Sequence, residues 1–240
     1  MHATLVNAVV VLIGGGLGAS IGNRIPRAMR ETVMQAVGLA SLVIGVSMAL
    51  GTRNILLMIL TLTAGAVIGE ALRLEAGLEA VGRWAQGRLG VKAGGSTVAR
   101  AFMTGSLLFC VGPLTILGSI QAGLGQPPVL LYTKTLMDGV SSIAIGAGLG
   151  AGVMLAGGVI LVYQGALTLL ASAAHTLMTA DVTREFTATG GVLVVGIGLN
   201  ILRLQMIRVG NMLPALVIAP LLTALIPHLA PFVRSVWPFH

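Results

Sequence analysis

The sequence predicts an all-α integral membrane protein of about eight transmembrane helices, some of them broken, and three observations predict it. Of 240 residues, 56% are hydrophobic and only 9% are charged. A soluble domain carries roughly 25% charged residues, so this chain has too few to cover a water-facing surface. Mean hydropathy is +0.99, and apolar stretches of about 20 residues, each enough for one bilayer crossing, follow one another almost end to end. Basic residues, finally, gather on alternate connections. No stretch is left for a separate soluble domain, so residues 1–240 read as a single polytopic membrane domain.

Hydropathy and helical periodicity place spans near 4–22, 32–50, 54–72, 101–120, 129–151, 158–178, 188–203 and 210–229. An even number puts both termini on one side. With the N-terminus outside, the inner segments hold Arg24, Arg27, Arg30, Arg73, Arg83, Arg88, Lys92, Arg100, Arg203 and Arg208, and the outer ones only Arg53, Arg184 and Arg234. That asymmetry predicts periplasmic or extracellular termini on a plasma-membrane protein. The net charge of +7 would suggest nucleic acid in a soluble protein. Here topology accounts for it, and the expected partner is the lipid bilayer, with no nucleic acid.

The first span lacks the basic flank and short apolar core of a cleaved signal and reads as retained. It contains "GGGLGAS" (Gly14 to Ser20), which matches "GAGLGAG" (Gly146 to Gly152) at the end of the fifth. Small residues four apart let helix backbones approach closely in lipid, and such faces also suit a homodimer. In the second span "GLASLVIGVSMAL" (Gly38 to Leu50) resembles "GVLVVGIGLNIL" (Gly191 to Leu202) in the seventh, each with glycines seven apart. The two matches disagree about topology, the span count giving the first pair the same orientation and the second pair opposite ones; spans 1–3 against 6–8 would form an inverted repeat, an arrangement common in secondary transporters. The third span ends at Glu70, near the inner interface. Residues 74–98 follow as a cytoplasmic amphipathic connector, with Leu74, Leu78, Val81, Ala85 and Leu89 at helical spacing and Glu75, Glu79, Arg83 and Arg88 elsewhere around the wheel.

The fourth span carries "CVGPLTILGSIQAG". Pro113 removes a backbone donor and clashes with the preceding turn, and Gly112 adds freedom, so this helix is expected to break and to strand carbonyls near Phe109 and Val111. Bare backbone survives in a membrane only beside protein or a wet cavity. Thr115, Ser119 and Gln121 follow as polar groups. In the fifth span Lys134, Asp138, Ser141, Ile145 and Gly148 share one narrow face, bordered by Ser142. A charge at the centre of a span costs about 2.5 to 3.5 kcal/mol, so this face should meet protein or water. Gln164 and His175 lie in the sixth span and Asn200 in the seventh. Thr187 and Thr189 stand where the seventh span should start, as caps for its first amides. Asn211 and Pro214 suit the start of the eighth. The lone Cys110 excludes an intramolecular disulfide and a cysteine-based zinc cluster, and no cofactor or metal site is expected.

At "CVGPLTILGSIQAG", "KTLMDGVSSIAIG", "TATGGVLVVGIGLN" and "VGNMLPAL" the sequence resembles the bacterial inner-membrane proteins of domain-of-unknown-function family 554, the YdfK and YqgA type, over nearly the whole chain. The resemblance implies a compact bacterial multi-span protein and suggests transport without fixing a substrate. In that family pattern an acidic residue often follows the glutamine of "GSIQ". Here Ala122 follows Gln121, which weakens the case for a cation site in the outer loop.

The functional expectation is a secondary transporter of a small solute, with a cation as the optional coupling ion and a site between the broken fourth span and the polar face of the fifth. Asp138 would be the coupling carboxylate and Lys134 its counter-charge. Ser141, Gln121, Thr115, Thr189 and Asn200 would be neutral ligands, and Gly112 and Pro113 would shape the break. No GxxxxGK[ST] loop is present to bind ATP. Two rival classes stay open. One is a structural or signalling protein in which Lys134 and Asp138 merely lock helices together. The other is a membrane enzyme using Ser106, Asp138 and His175, which lacks the GxSxG elbow of a serine hydrolase.

Overall fold

A computed structural model describes residues 1–22, 24, 26–77, 80, 95–110, 113–171 and 179–236. Among them all regular structure is helical. The helices are α1 (His2–Gly22), α2 (Arg27–Ala49), α3 (Ile55–Ala71), α4 (Gly95–Cys110), α5 (Pro113–Gly123), α6 (Val129–Leu149), α7 (Leu155–Leu169), α8 (Ala180–Ile201) and α9 (Ala215–Val236), with short 3-10 turns at Ala151–Met154 and Val209–Met212. Most of the connector at 74–98, the break residues Val111 and Gly112, and His175 lie outside the described residues.

Four segments, His2–Gly22, Glu31–Ala49, Ala151–Leu169 and Ala180–Ile201, are each long and apolar enough to cross a bilayer. A fifth crossing results if the α4–α5 pair, bent by 62°, counts as one span. α6 has the length as well, but Lys134, Asp138 and its serines dilute its hydropathy.

Local chemistry fixes several boundaries. Asn54 caps α3, its side chain accepting the Leu57 N–H at 3.0 Å. α8 starts earlier than the seventh span expected from hydropathy, because Thr179 accepts the Val182 N–H at 3.3 Å and Asp181 sits in the first turn. Thr187 and Thr189 therefore lie well inside α8 and cap nothing. A polar first turn at a water-facing helix end is invisible to hydropathy, and a cap must be read instead.

Packing direction can be read from the glycines. Gly14, Gly18 and Gly22 of α1 face Gly139, Ile143 and Ala147 of α6 in rising order, so these helices run parallel. On its other side α1 meets α7 antiparallel, Gly15 lying against Val153 and Gly157 against Ala8. α2 and α8 are antiparallel, with Gly38 on Leu202 and Gly45 on Gly191. α3 and the chain leading into α9 are antiparallel too, with Gly65 on Ala215 and Gly69 on Asn211. A side chain at Gly18, Gly22 or Gly69 would collide with a main-chain oxygen. Both glycine matches seen in the sequence are thus physical contacts between helices.

The bundle has two ends. At the upper one, which holds the N-terminus, His2 lies 3.2 Å from Tyr132, Thr52 and the Arg53 amide donate to Glu185 at 2.6 and 2.8 Å, and Gly123 abuts Thr168. The lower end is tied by Arg208 to Glu70 at 2.8 Å, by Asn211 to Glu70 at 2.6 Å, and by the Glu75 amide to Asn211 Oδ1 at 2.7 Å. Asn211, expected as a helix cap, ties α3 to the start of the last helix instead. Two apolar clusters fill the interior. One joins Val11, Phe109, Cys110, Ile145, Val153 and Ile160, and the other joins Ile116, Ile120, Phe186, Leu193 and Ile197.

Candidate functional site

The break in the fourth span builds one wall. An α-helical bond to the Phe109 carbonyl would come from residue 113, and proline has no N–H to give. The Thr115 hydroxyl takes its place, donating to Phe109 O at 3.0 Å. Thr115 is fully buried, so its place among the polar residues is structural: it satisfies the stranded carbonyl.

α6 builds the opposite wall. Lys134 and Asp138 each stand 5% exposed, although Lys and Asp are almost never enclosed without a partner. They are one turn apart, and Lys134 Nζ donates to Asp138 Oδ2. The same oxygen accepts from Asn7 Nδ2 of α1 at 3.0 Å. Below the ammonium lies the Phe109 ring, 5.9 Å from Nζ to centroid, where the negative ring face favours the cation. Ser142 occupies the packed position on this face, donating to Gly139 O at 2.8 Å, while Ser141 is only half-buried at its margin.

Toward the same end of the bundle the interior is polar and incompletely paired, as it is at Thr104, Ser106, Tyr163, Thr187 and Thr189 elsewhere. Among the described residues, Thr4 Oγ1, Asn7 Oδ1, Ser119 Oγ, Thr168 Oγ1 and both ends of the Gln164 amide are buried without a hydrogen-bond partner. Thr4 and Asn7 stand in the first turns of α1, Ser119 and Thr168 near the ends of α5 and α7, and Lys134 in the second turn of α6, so all lie toward the upper end. Each buried polar group left unmet costs about 1–3 kcal/mol, so this end of the bundle is where a water, ion or solute would satisfy the most polar atoms. The Val11–Phe109–Ile145–Ile160 cluster lies a turn or more further along α1, α6 and α7 toward the lower end.

The other expected ligands are elsewhere. Gln121 is half-buried at the upper end of α5. Thr189 is fully buried on α8, its hydroxyl unpartnered, on the helix face shared with Phe186 and Leu193. Asn200 is at the lower end, where both its amide groups clamp Ile207, at 2.7 Å each. It fixes a turn rather than facing Asp138. Of the break residues, Pro113 opens α5 and Gly112 lies outside the described residues. Asn7, Thr4 and Glu185 were not singled out from the sequence. A lone asparagine in an apolar run was the signal available for Asn7, and Asp138 is 131 positions away.

Clefts open at both ends of the bundle. One of about 410 Å³ lies at the upper end between Met48, Leu117, Thr183 and Thr187. Two others, about 480 and 760 Å³, lie at the lower end and share Arg100. None of these three is lined by Lys134 or Asp138.

Comparison with known proteins places these features in a family. The chain is 30% identical over 224 residues to "Uncharacterized membrane protein YdfK" of Bacillus subtilis (strain 168), covering 92% of this chain and 94% of that one. It is 32% identical over 222 residues to "Uncharacterized protein YqgA" of Escherichia coli (strain K12), covering 91% and 94%. No solved structure matches the chain. The family model described as "Protein of unknown function (DUF554)" matches residues 2–224, and this membrane protein belongs to that family.

Proposed function

We propose that the protein is a secondary transporter of a small solute, with Asp138 as the carboxylate that couples a cation and Lys134 as its counter-charge. The observation that carries this reading is the buried Lys134–Asp138 pair, held by Asn7, at the end of the bundle where Thr4, Ser119, Gln164 and Thr168 also bury polar atoms without partners; we read this end as the upper chamber of a carrier. An apolar plug beneath the chamber and separate clefts at the lower end suit a carrier occluded from below. Transporter sites near mid-depth beside broken helices follow the same logic.

The finer architecture belongs to this proposal. Eight crossings, with α4 and α5 as one broken span, bring both termini to the outer side of a bacterial inner membrane. The antiparallel contacts of α1 with α7, α2 with α8 and α3 with the start of α9 support an inverted repeat of spans 1–3 and 6–8. Arg73, Arg100, Arg203 and Arg208 share the lower end, which this topology makes cytoplasmic. The whole chain acts as one membrane domain, forms a homodimer, and is not an enzyme.

A second reading has its own support. Asp138 already has two partners, and none of the three clefts is lined by it, which suits a lock in a non-transporting structural or signalling protein. Uptake into vesicles separates the two. Asp138→Asn leaves Lys134 buried without its counter-charge and is expected to cost about 3–5 kcal/mol of stability, so the double variant Lys134→Met/Asp138→Asn is the informative one. It should regain stability yet carry no solute. Activity equal to wild type in that stable double variant would remove the pair from the mechanism.

A further inference from the structure

The lower end carries arginines that the chamber does not use. α3 and α8 end in the same tripeptide, Leu72–Arg73–Leu74 and Leu202–Arg203–Leu204, and the central arginine of each has a left-handed backbone, φ 52° and 58°. Glycine is the usual residue there, because a Cβ makes the conformation costly. A cation near a helix C-terminus is favoured by the helix dipole. That accounts for a basic residue just past the helix end, but not for a strained one. Arg203 lines the cleft of about 480 Å³, and Arg73 lines the cleft of about 760 Å³. Arg100, half-buried at the start of α4, lines both.

The acids nearby do not neutralise this set. Glu70 is engaged by Arg208 and Asn211, and Glu75 accepts the Gly210 N–H at 2.9 Å. Glu31, in the first cleft, is exposed. Among the described residues the side chains of Arg73, Arg100 and Arg203 have no hydrogen-bond or ion-pair partner. Arg73 and Arg203 are exposed, and Arg100 is half-buried; a partly enclosed guanidinium such as that of Arg100 wants an anion, and its planar fork suits the paired oxygens of a phosphate or carboxylate.

We propose that the lower end is an oxyanion-binding vestibule in which Arg100 grips a phosphate or carboxylate group, closed by Arg203 in one cleft and Arg73 in the other. The ligand is a small anion or the headgroup of an anionic lipid, and the site stands whether or not the protein transports.

The test is thermal unfolding of the full chain in phosphatidylcholine nanodiscs, with inorganic phosphate or succinate against chloride at equal ionic strength. A second arm uses nanodiscs containing phosphatidylglycerol and no added anion. The expected result is a saturable rise in Tm with phosphate or succinate, with half-saturation at least tenfold weaker in Arg100→Gln. A rise confined to phosphatidylglycerol and lost in Arg100→Gln assigns the same site to lipid. Arg73→Gly and Arg203→Gly serve as folded controls: each should raise the Tm of the ligand-free protein by relieving its backbone, while the double glycine variant weakens the anion response. No anion-specific rise would overturn the proposal. So would a rise that survives unchanged in Arg100→Gln or, if that variant does not fold, in the double glycine variant.

Discussion

A proline inside a membrane helix strands one carbonyl, and at Phe109 the Thr115 hydroxyl meets it. This bond makes a testable pair with the residue that creates the need. Thr115→Val should cost about 1–2 kcal/mol in the wild-type chain, the usual loss for a buried acceptor left unmet. With Pro113→Ala the missing N–H returns, and the same valine should then cost much less; chemical unfolding of the four proteins in detergent gives the coupling. Equal costs in both backgrounds would mean that the hydroxyl bond carries no stability. The break could be read from sequence because a missing N–H belongs to proline itself. Lys134 and Asp138 were equally legible, since charges stand out in an apolar run. Asn7 was not, because only the packing of α1 on α6 brings its amide to Asp138.

Between helices the glycines set the spacing. Gly18 sits against the backbone of Ile143 and Gly69 against that of Asn211, whereas a methyl group at Gly158 would meet nothing within 4 Å. Gly18→Ala and Gly69→Ala should therefore each destabilise by about 1–3 kcal/mol, the cost of overpacking a tight contact. Gly158→Ala should be neutral or stabilise by up to about 1 kcal/mol through helix propensity. Equal effects at all three sites, read from unfolding midpoints, would show that close approach is not what these glycines provide. The sequence revealed that the glycine strings were related, and the structure adds which helices they join and in which direction. The early start of α8 escaped hydropathy because Asp181, Arg184 and Glu185 look like loop; Thr179 was the readable cap.

Across the whole molecule, a buried ion pair with unmet polar groups toward the upper end, an apolar cluster and a basic lower end follow one another. Reporter fusions test the orientation: a periplasmic reporter should be active at both termini and inactive after Arg203, and the opposite pattern would reverse the topology. Composition made the membrane class plain, and the charged pair pointed to α6. That Thr4, Asn7, Ser119 and Gln164, from three helices, are all buried toward one end is a result of tertiary packing, which no local pattern encodes. The most direct check is thiol labelling in intact cells, with Cys110 replaced by alanine and single cysteines placed at Thr4, Asn7 and Gln164, or at the lipid-facing positions Leu136 and Val140. A small membrane-impermeant reagent is predicted to label the chamber positions from the outside and to spare Leu136 and Val140. If the chamber cysteines stay unlabelled from both sides of the membrane, the interior is a sealed core and the protein is no transporter.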